Sequence, residues 1–309
     1  MGGSGGVFFP GGNSPDEISK RIRSEEQTKD QAFEIKVTDL IRTLLSNVND
    51  RDTNQIQTHI QRIKQALNLG VDGTIDLRYG GSLSKNTFVE GLSDIDTLAI
   101  LNKSELMHLS PNEVKDYFYD RIRESLPYTD IVSGKKAVTI NFTSEYSIQI
   151  LPALKDGNGI RIPSSSDPNE WSKIIQPKKF VETLRYVNIK NSGKLIPVIK
   201  LAKSIISTLP ERRQLSGYHV EALGIEVFSN YSGDKTPKAM LKHFFTEASK
   251  KVLEPIKDKT GQTIHVDNYL KAANSIERKM VSDSLSTVSR KMQNADGSKD
   301  IRAWNEILK

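Results

Sequence analysis

Two aspartates set two residues apart inside an apolar run, Asp94-Ile95-Asp96-Thr97-Leu98-Ala99-Ile100-Leu101, constrain this chain more than any other stretch. The run reads as a strand, and alternate residues of a strand point to the same side. Asp94 and Asp96 therefore project together, about 6–7 Å apart along the strand. Like charges so placed repel unless a cation lies between them, and hard divalent ions such as Mg2+ take carboxylate and phosphate oxygens as ligands. Eleven residues separate Asp94 from Ser82, which closes a Gly80-Gly81-Ser82 turn. A short helix expected over 82–88 would turn its N-terminal N–H groups and positive dipole end toward an anion. Gly81 lets a ligand approach the backbone, and Ser82 can donate its hydroxyl to a phosphate oxygen. Lys85 and Arg78 add positive potential beside the turn. The combination reads as a phosphate-plus-metal site.

The surrounding pattern is α/β, with mixed elements first and helices after. Residues 1–14 are rich in Gly and Ser and are expected as a flexible leader. Helical spacing over 16–47 and 52–69 predicts two amphipathic helices. Strands are expected over 74–79, 94–101, 137–142 and 146–151, the last stopped by Pro152, with a helix over 103–125 bearing Val114, Phe118 and Ile122 on one stripe. The expected β-α-β pair and hairpin make a small mixed sheet with helices on one face. A polar loop follows over 155–170, and five helices are expected over 177–191, 195–209, 217–229, 236–252 and 268–294. The change of pattern sets the expected division: leader 1–14, an α/β core with N-terminal helices over 15–155, and an all-α lobe over 156–309, with the cleft between them.

Composition excludes several alternatives. The 309 residues are 36% hydrophobic and 27% charged, enough for a packed core. Cysteine is absent and the five histidines form no HxH or HxxxH pair, which removes thiol nucleophiles and argues against a zinc enzyme. No apolar run of 18 residues occurs, so no membrane span is expected, and no signal-peptide pattern opens the chain; a cytoplasmic protein is expected. The 44 Lys and Arg against 38 Asp and Glu give +6, which suits an anionic substrate without requiring nucleic acid.

Taken in order, the Gly-Gly-Ser turn, the eleven-residue gap and the Asp-x-Asp strand resemble the signature of the DNA polymerase β-like nucleotidyltransferases. Three further stretches narrow the resemblance. Gln149-Ile150-Leu151-Pro152-Ala153 resembles the Asp-x-x-Pro-Ala strand end of oligoadenylate synthetases and of the bacterial cGAS/DncV-like enzymes (CD-NTases). Lys200 and Lys203 lie on a helix like the one whose lysine holds the nucleotide triphosphate. Ser216-Gly217-Tyr218-His219-Val220-Glu221 resembles the Ser-Tyr-x-x-Glu segment of the same group, and Trp171, Pro177 and Asn188 fall at similar positions. The resemblance, over about residues 15–290, implies an enzyme making a cyclic or linear oligonucleotide second messenger from NTPs, ATP foremost, in anti-phage signalling (CBASS). It implies Mg2+ or Mn2+ held by Asp94 and Asp96, nucleotide contacts from Gly81, Ser82, Lys203, Ser216 and Tyr218, and regulatory partner proteins.

Two departures bear on the chemistry. The family's third carboxylate falls at Gln149, and its serine before tyrosine falls at Gly217, with Ser216 one place earlier. Gln149 offers a neutral carbonyl oxygen without charge or basicity. Glu145 would point the same way from about 13 Å along the strand, if the strand is regular. An inactivated variant, a nucleotide-binding homologue without activity, and an active enzyme with a compensating ligand all stay open, as does an enzyme that tails RNA or transfers AMP to protein. Lys203 reads either as a phosphate ligand or as a helix-surface lysine, Tyr218 either as a stacking platform for a base or as a core aromatic. His219 reads as a packed histidine, and Arg161 as a rim or plain loop residue.

Overall fold

The computed structural model describes residues 15–50, 52–69, 74–89, 95–102, 105–144, 146–164, 166–261 and 263–309. Residues 1–14, 91–93, Asp94 and Glu145 lie outside the described residues.

Among the described residues, six strands form one sheet: β1 (Thr74–Tyr79), β2 (Ile95–Asn102), β3 (Asp130–Ser133), β4 (Val138–Asn141), β5 (Ser147–Asp156) and β6 (Gly159–Arg161), in the order β1-β2-β5-β4-β3 with β6 on β5. Among the described residues, only β2 and β5 run parallel. The β1–β2 pair is antiparallel, which corrects the β-α-β unit expected there. Residues 81–86 after β1 form a turn, and the crossover that parallel pairing needs is the longer β2–β5 connection. That connection carries α3 (Pro111–Ser125), which starts at a capping box of Ser110 and Glu113 with Pro111 as its first residue.

Pleat alternation divides the sheet. Ile95, Ala99 and Leu101 of β2 and Ile148 and Ile150 of β5 point to one face. There they pack on Ile56, Ile63 and Leu67 of α2 (Thr53–Asn68) and on Val114, Phe118 and Ile122 of α3. Each such buried Ile, Leu, Val or Phe side chain contributes about 1.5–3 kcal/mol relative to exposure. The other face carries Asp96, Leu98 and Ile100, with Leu151 and Ala153 beside them. Strand β5 runs on through Pro152, where a stop was expected. Its partner β4 ends at Val138 opposite Ile150 and β6 begins opposite Leu154, so Pro152 sits in a gap where only β2 pairs with β5.

The second layer is helical: α4 (Pro177–Lys190), α5 (Leu195–Ser207), α6 (Gly217–Phe228), α7 (Pro237–Lys251), α8 (Ile276–Gly297) and α9 (Ile301–Leu308). Its core also takes in Phe33, Val37 and Ile41 of α1 (Pro15–Asn47), a helix the sequence reading grouped with the sheet. The stretch read as one helix over 268–294 is broken. Lys271 and Asn274 take left-handed backbone with φ of 64° and 57°, and Ser275 caps a fresh start at Ile276.

Candidate nucleotide site

Asp96 is aimed by the pleat. Its neighbours Ile95 and Thr97 are each buried at 1% exposure, so its own side chain emerges on the opposite face. There it meets the glycine turn: Gly80 N donates to Asp96 O at 2.8 Å. A Cβ on Gly81 would overlap the Asp96 carboxylate, standing 2.6 Å from its Cγ, and the Gly81 φ of 44° is left-handed. Space and backbone both demand glycine, because the carboxylate lies directly on the turn. Gln149 pairs in register with Asp96 across the parallel strands, so the two side chains share a face of the sheet.

The turn after Gly81 is shorter than the helix expected over 82–88. Ser82 O accepts Thr87 N at 3.0 Å, Leu83 O accepts Asn86 N at 3.2 Å, and Asn86 takes a left-handed φ of 57°. This paired bonding around a left-handed residue closes a helix end, so a single turn forms and stops at Asn86. Phe88 then enters the sheet core. The segment after Gly81 is thus one closed turn and not a helix whose dipole could face an anion.

From the helical layer, α5 delivers Lys203. It is not on the surface: it is 8% exposed, and its Nζ donates to Thr87 O at 2.9 Å and to Glu221 Oε1 at 2.7 Å. Burial pushes its pKa below the usual lysine value; Glu221 opposes that shift, and Asp96 opposes it more weakly. Glu221, on α6, is 1% exposed and also accepts the Thr87 hydroxyl. Its other oxygen stands 2.5 Å from Lys85 Nζ, an ion pair rather than a directed hydrogen bond. Lys85 also lies 5.0 Å from the Tyr218 ring centroid and 5.2 Å from that of Phe180. Tyr218 is half-buried against Phe180, and its hydroxyl donates to Asp258 at 2.8 Å. Burial first and that carboxylate second hold the phenol protonated.

Other singled-out residues are engaged elsewhere. Ser216 caps α6, its Oγ accepting His219 N at 3.2 Å, and it is Gly217 that adjoins Lys203: a Cβ there would stand 3.4 Å from Nζ. Lys200 directs its ammonium to Asn49, just beyond α1. Arg78 is bonded to Asp76 at 3.0 Å, and Arg161 to Asp156 at 2.7 Å. His219 is fully buried between Tyr269 and Asp267, and burial depresses its pKa to about 4. Thr87 and the role of Glu221 escaped the sequence reading, since nothing local tells a Thr five places beyond Ser82 that a carboxylate 134 residues away will meet it.

Among the described residues, no three of His, Asp and Glu gather around one point as a metal set. Asp94 is not among them. The donors described here, the Asp96 carboxylate and the Gln149 amide in register with it, are oxygens suited to a hard divalent ion.

Residues 35–188 match the family model described as Second Messenger Oligonucleotide or Dinucleotide Synthetase domain. The chain belongs to that synthetase family. It is a nucleotidyltransferase with the polymerase β-like fold. The fold is similar to that of Escherichia coli MS115-1 CdnC with ATP, at TM-score 0.68 and 15% identity over 87% of this chain and 96% of that one. CdnC has also been solved in complex with a HORMA protein. Bradyrhizobium diazoefficiens CdnG in complex with GTP matches at TM-score 0.66 and 12% identity, over 88% and 96% of the two chains. A point mutant of the Vibrio cholerae dinucleotide cyclase DncV, in complex with ATP and GTP among its ligands, matches at 0.61 and 10%, over 96% and 91%. No curated protein sequence matches the chain. The matched segment 35–188 ends before Lys203 and Glu221. Among the described residues no helix is long and apolar enough to cross a membrane.

Proposed function

We propose that this synthetase uses Mg2+ or Mn2+ to join NTPs, ATP foremost, into a cyclic or linear oligonucleotide signal, and that the Gly81–Asp96 turn is its triphosphate site. The observation that carries this reading is the packing of the Asp96 carboxylate on the Gly81 backbone, with Lys85 and Lys203 brought to the same turn from opposite layers. In such a transfer a ribose hydroxyl attacks the α-phosphate and pyrophosphate leaves. Positioning and charge neutralisation provide most of the catalysis. The backbone of Gly81 and the hydroxyl of Ser82 hold phosphate oxygens, Lys203 and Lys85 offset the charge on the leaving pyrophosphate, and Tyr218 borders the base. When bound by Asp94 and Asp96, Mg2+ or Mn2+ supplies charge neutralisation and in-line alignment. A regulatory protein of the kind that accompanies CdnC, an anti-phage role and a cytoplasmic setting with its NTP supply belong to the same proposal.

Gln149 favours a second reading, a homologue that binds nucleotide without turnover, because an amide in register with Asp96 adds neither charge nor a base. Incubation with each NTP and Mg2+ or Mn2+, with products resolved chromatographically, separates the two. An oligonucleotide product supports the first reading, and ATP binding without product supports the second. Gln149→Asp is expected to raise product formation at least about tenfold, the scale of one well-placed charge. Activity unchanged or lowered by that substitution contradicts the role given to position 149.

A further inference from the structure

We propose that Glu221 is a positioning residue for nucleotide binding: one buried carboxylate that holds Lys85 and Lys203, drawn from opposite layers, side by side for a triphosphate. The proposal rests on the reading of this turn as an NTP site. A carboxylate at 1% exposure must be partnered, and each of its partners serves the turn. Oε1 receives Lys203 at 2.7 Å together with the Thr87 hydroxyl, and Oε2 faces Lys85 at 2.5 Å. Lys85 and Thr87 belong to the segment that follows Gly81, whereas Lys203 and Glu221 come from α5 and α6. One side chain therefore joins the phosphate turn to the helical layer and fixes where both ammonium groups stand.

The charge balance suits an anion. Two ammoniums and one carboxylate leave the cluster at +1, and each lysine side chain keeps about a tenth of its surface open. Each ammonium has three N–H donors. Lys203 directs short bonds to Thr87 O and Glu221 and only a long one, 3.4 Å, to the Thr87 hydroxyl, and a phosphate oxygen would take the place of that long contact. Lys85 lowers the proton affinity of Lys203 while Glu221 raises it, so the carboxylate also offsets the repulsion between the lysines. Stability alone is a weak rationale for such an arrangement, since apolar residues commonly replace a buried ion pair without loss.

The test is Mg-ATP binding by titration calorimetry on the whole chain: wild type, Glu221→Gln, the pair Lys85→Met with Lys203→Met, and all three together. Glu221→Gln is expected to weaken ATP binding about tenfold, the worth of one charge-assisted hydrogen bond. Added to the lysine pair, it is expected to cause no further loss. A role in folding alone would weaken binding equally in both backgrounds; that result, or an undiminished affinity in the single variant, overturns the proposal. Thermal unfolding accompanies each titration. If Glu221→Gln alone does not fold, Glu221→Asp, which keeps the charge but draws it back by one methylene from both lysines, takes its place: a weakened ATP affinity with the thermal midpoint retained supports the proposal, and an undiminished affinity overturns it. A wild type that binds no ATP contradicts the nucleotide reading itself, an outcome distinct from a wild type that binds and a Glu221→Gln that binds as well.

Discussion

Gly81 and Asp96 define each other: the carboxylate occupies the volume where any other residue at 81 would carry its Cβ. Both were legible in the sequence, because a glycine before serine and an alternating Asp-x-Asp each report a backbone requirement. Glu221 was legible only as part of a motif, since its partners come from segments 18 and 134 residues distant. His219 was read as a packed histidine, and its burial makes it an acid-sensitive point. Its pKa, about 4, lies below the ordinary 6.5, so the unfolded chain takes up the proton first. Its contribution to stability is complete above about pH 6.5 and declines as the pH falls from there toward 4, by about 3 kcal/mol in all. The groups that face it are the Tyr269 hydroxyl, Asp267 and Arg278, and Asp267 opposes the shift. In His219→Gln the thermal midpoint is expected to fall less steeply between pH 6.5 and 4 than in the wild type. Identical acid limbs in the two proteins would contradict this.

At the level of elements, the strands and most helices were legible because period 2 and period 3.6 are local signals. The errors fall where tertiary context decides. Pro152 ends a strand only if both of its edges are paired there, and the sequence does not show where β4 stops. The apolar stripe of Leu270, Ala273 and Ile276 mimics a helix, but the backbone at Lys271 and Asn274 is held left-handed. Arg278, fully buried, organises that segment: it pairs with Asp267 at 2.7 Å and donates to Val252 O at 2.9 Å, Ala272 O at 3.1 Å and Lys271 O at 3.1 Å. Arg278→Met removes all these donors and leaves Asp267 buried without its ion-pair partner. Its expected cost is about 3–5 kcal/mol of unfolding free energy in urea denaturation. A change below about 1 kcal/mol would show that the segment holds itself without the guanidinium.

Across the whole molecule, the amphipathic stripe of α1 was readable but its destination was not. Phe33, Val37 and Ile41 join the helical core, and Lys200 bonds Asn49 just beyond the helix, so the described residues pass from the helical layer into the sheet and back again. The two layers meet at the Gly81–Asn86 turn, where Lys203 and Glu221 reach Thr87 and Lys85. The central claim is that this junction is one Mg-triphosphate site to which the sheet contributes Asp96. ATP affinity with and without Mg2+, for wild type and Asp96→Asn, measures it directly. Wild type is predicted to bind ATP more tightly with Mg2+ by about tenfold or more, and Asp96→Asn to lose that increment while keeping its fold. Equal affinities in the two proteins, or no response of the wild type to Mg2+, would contradict it.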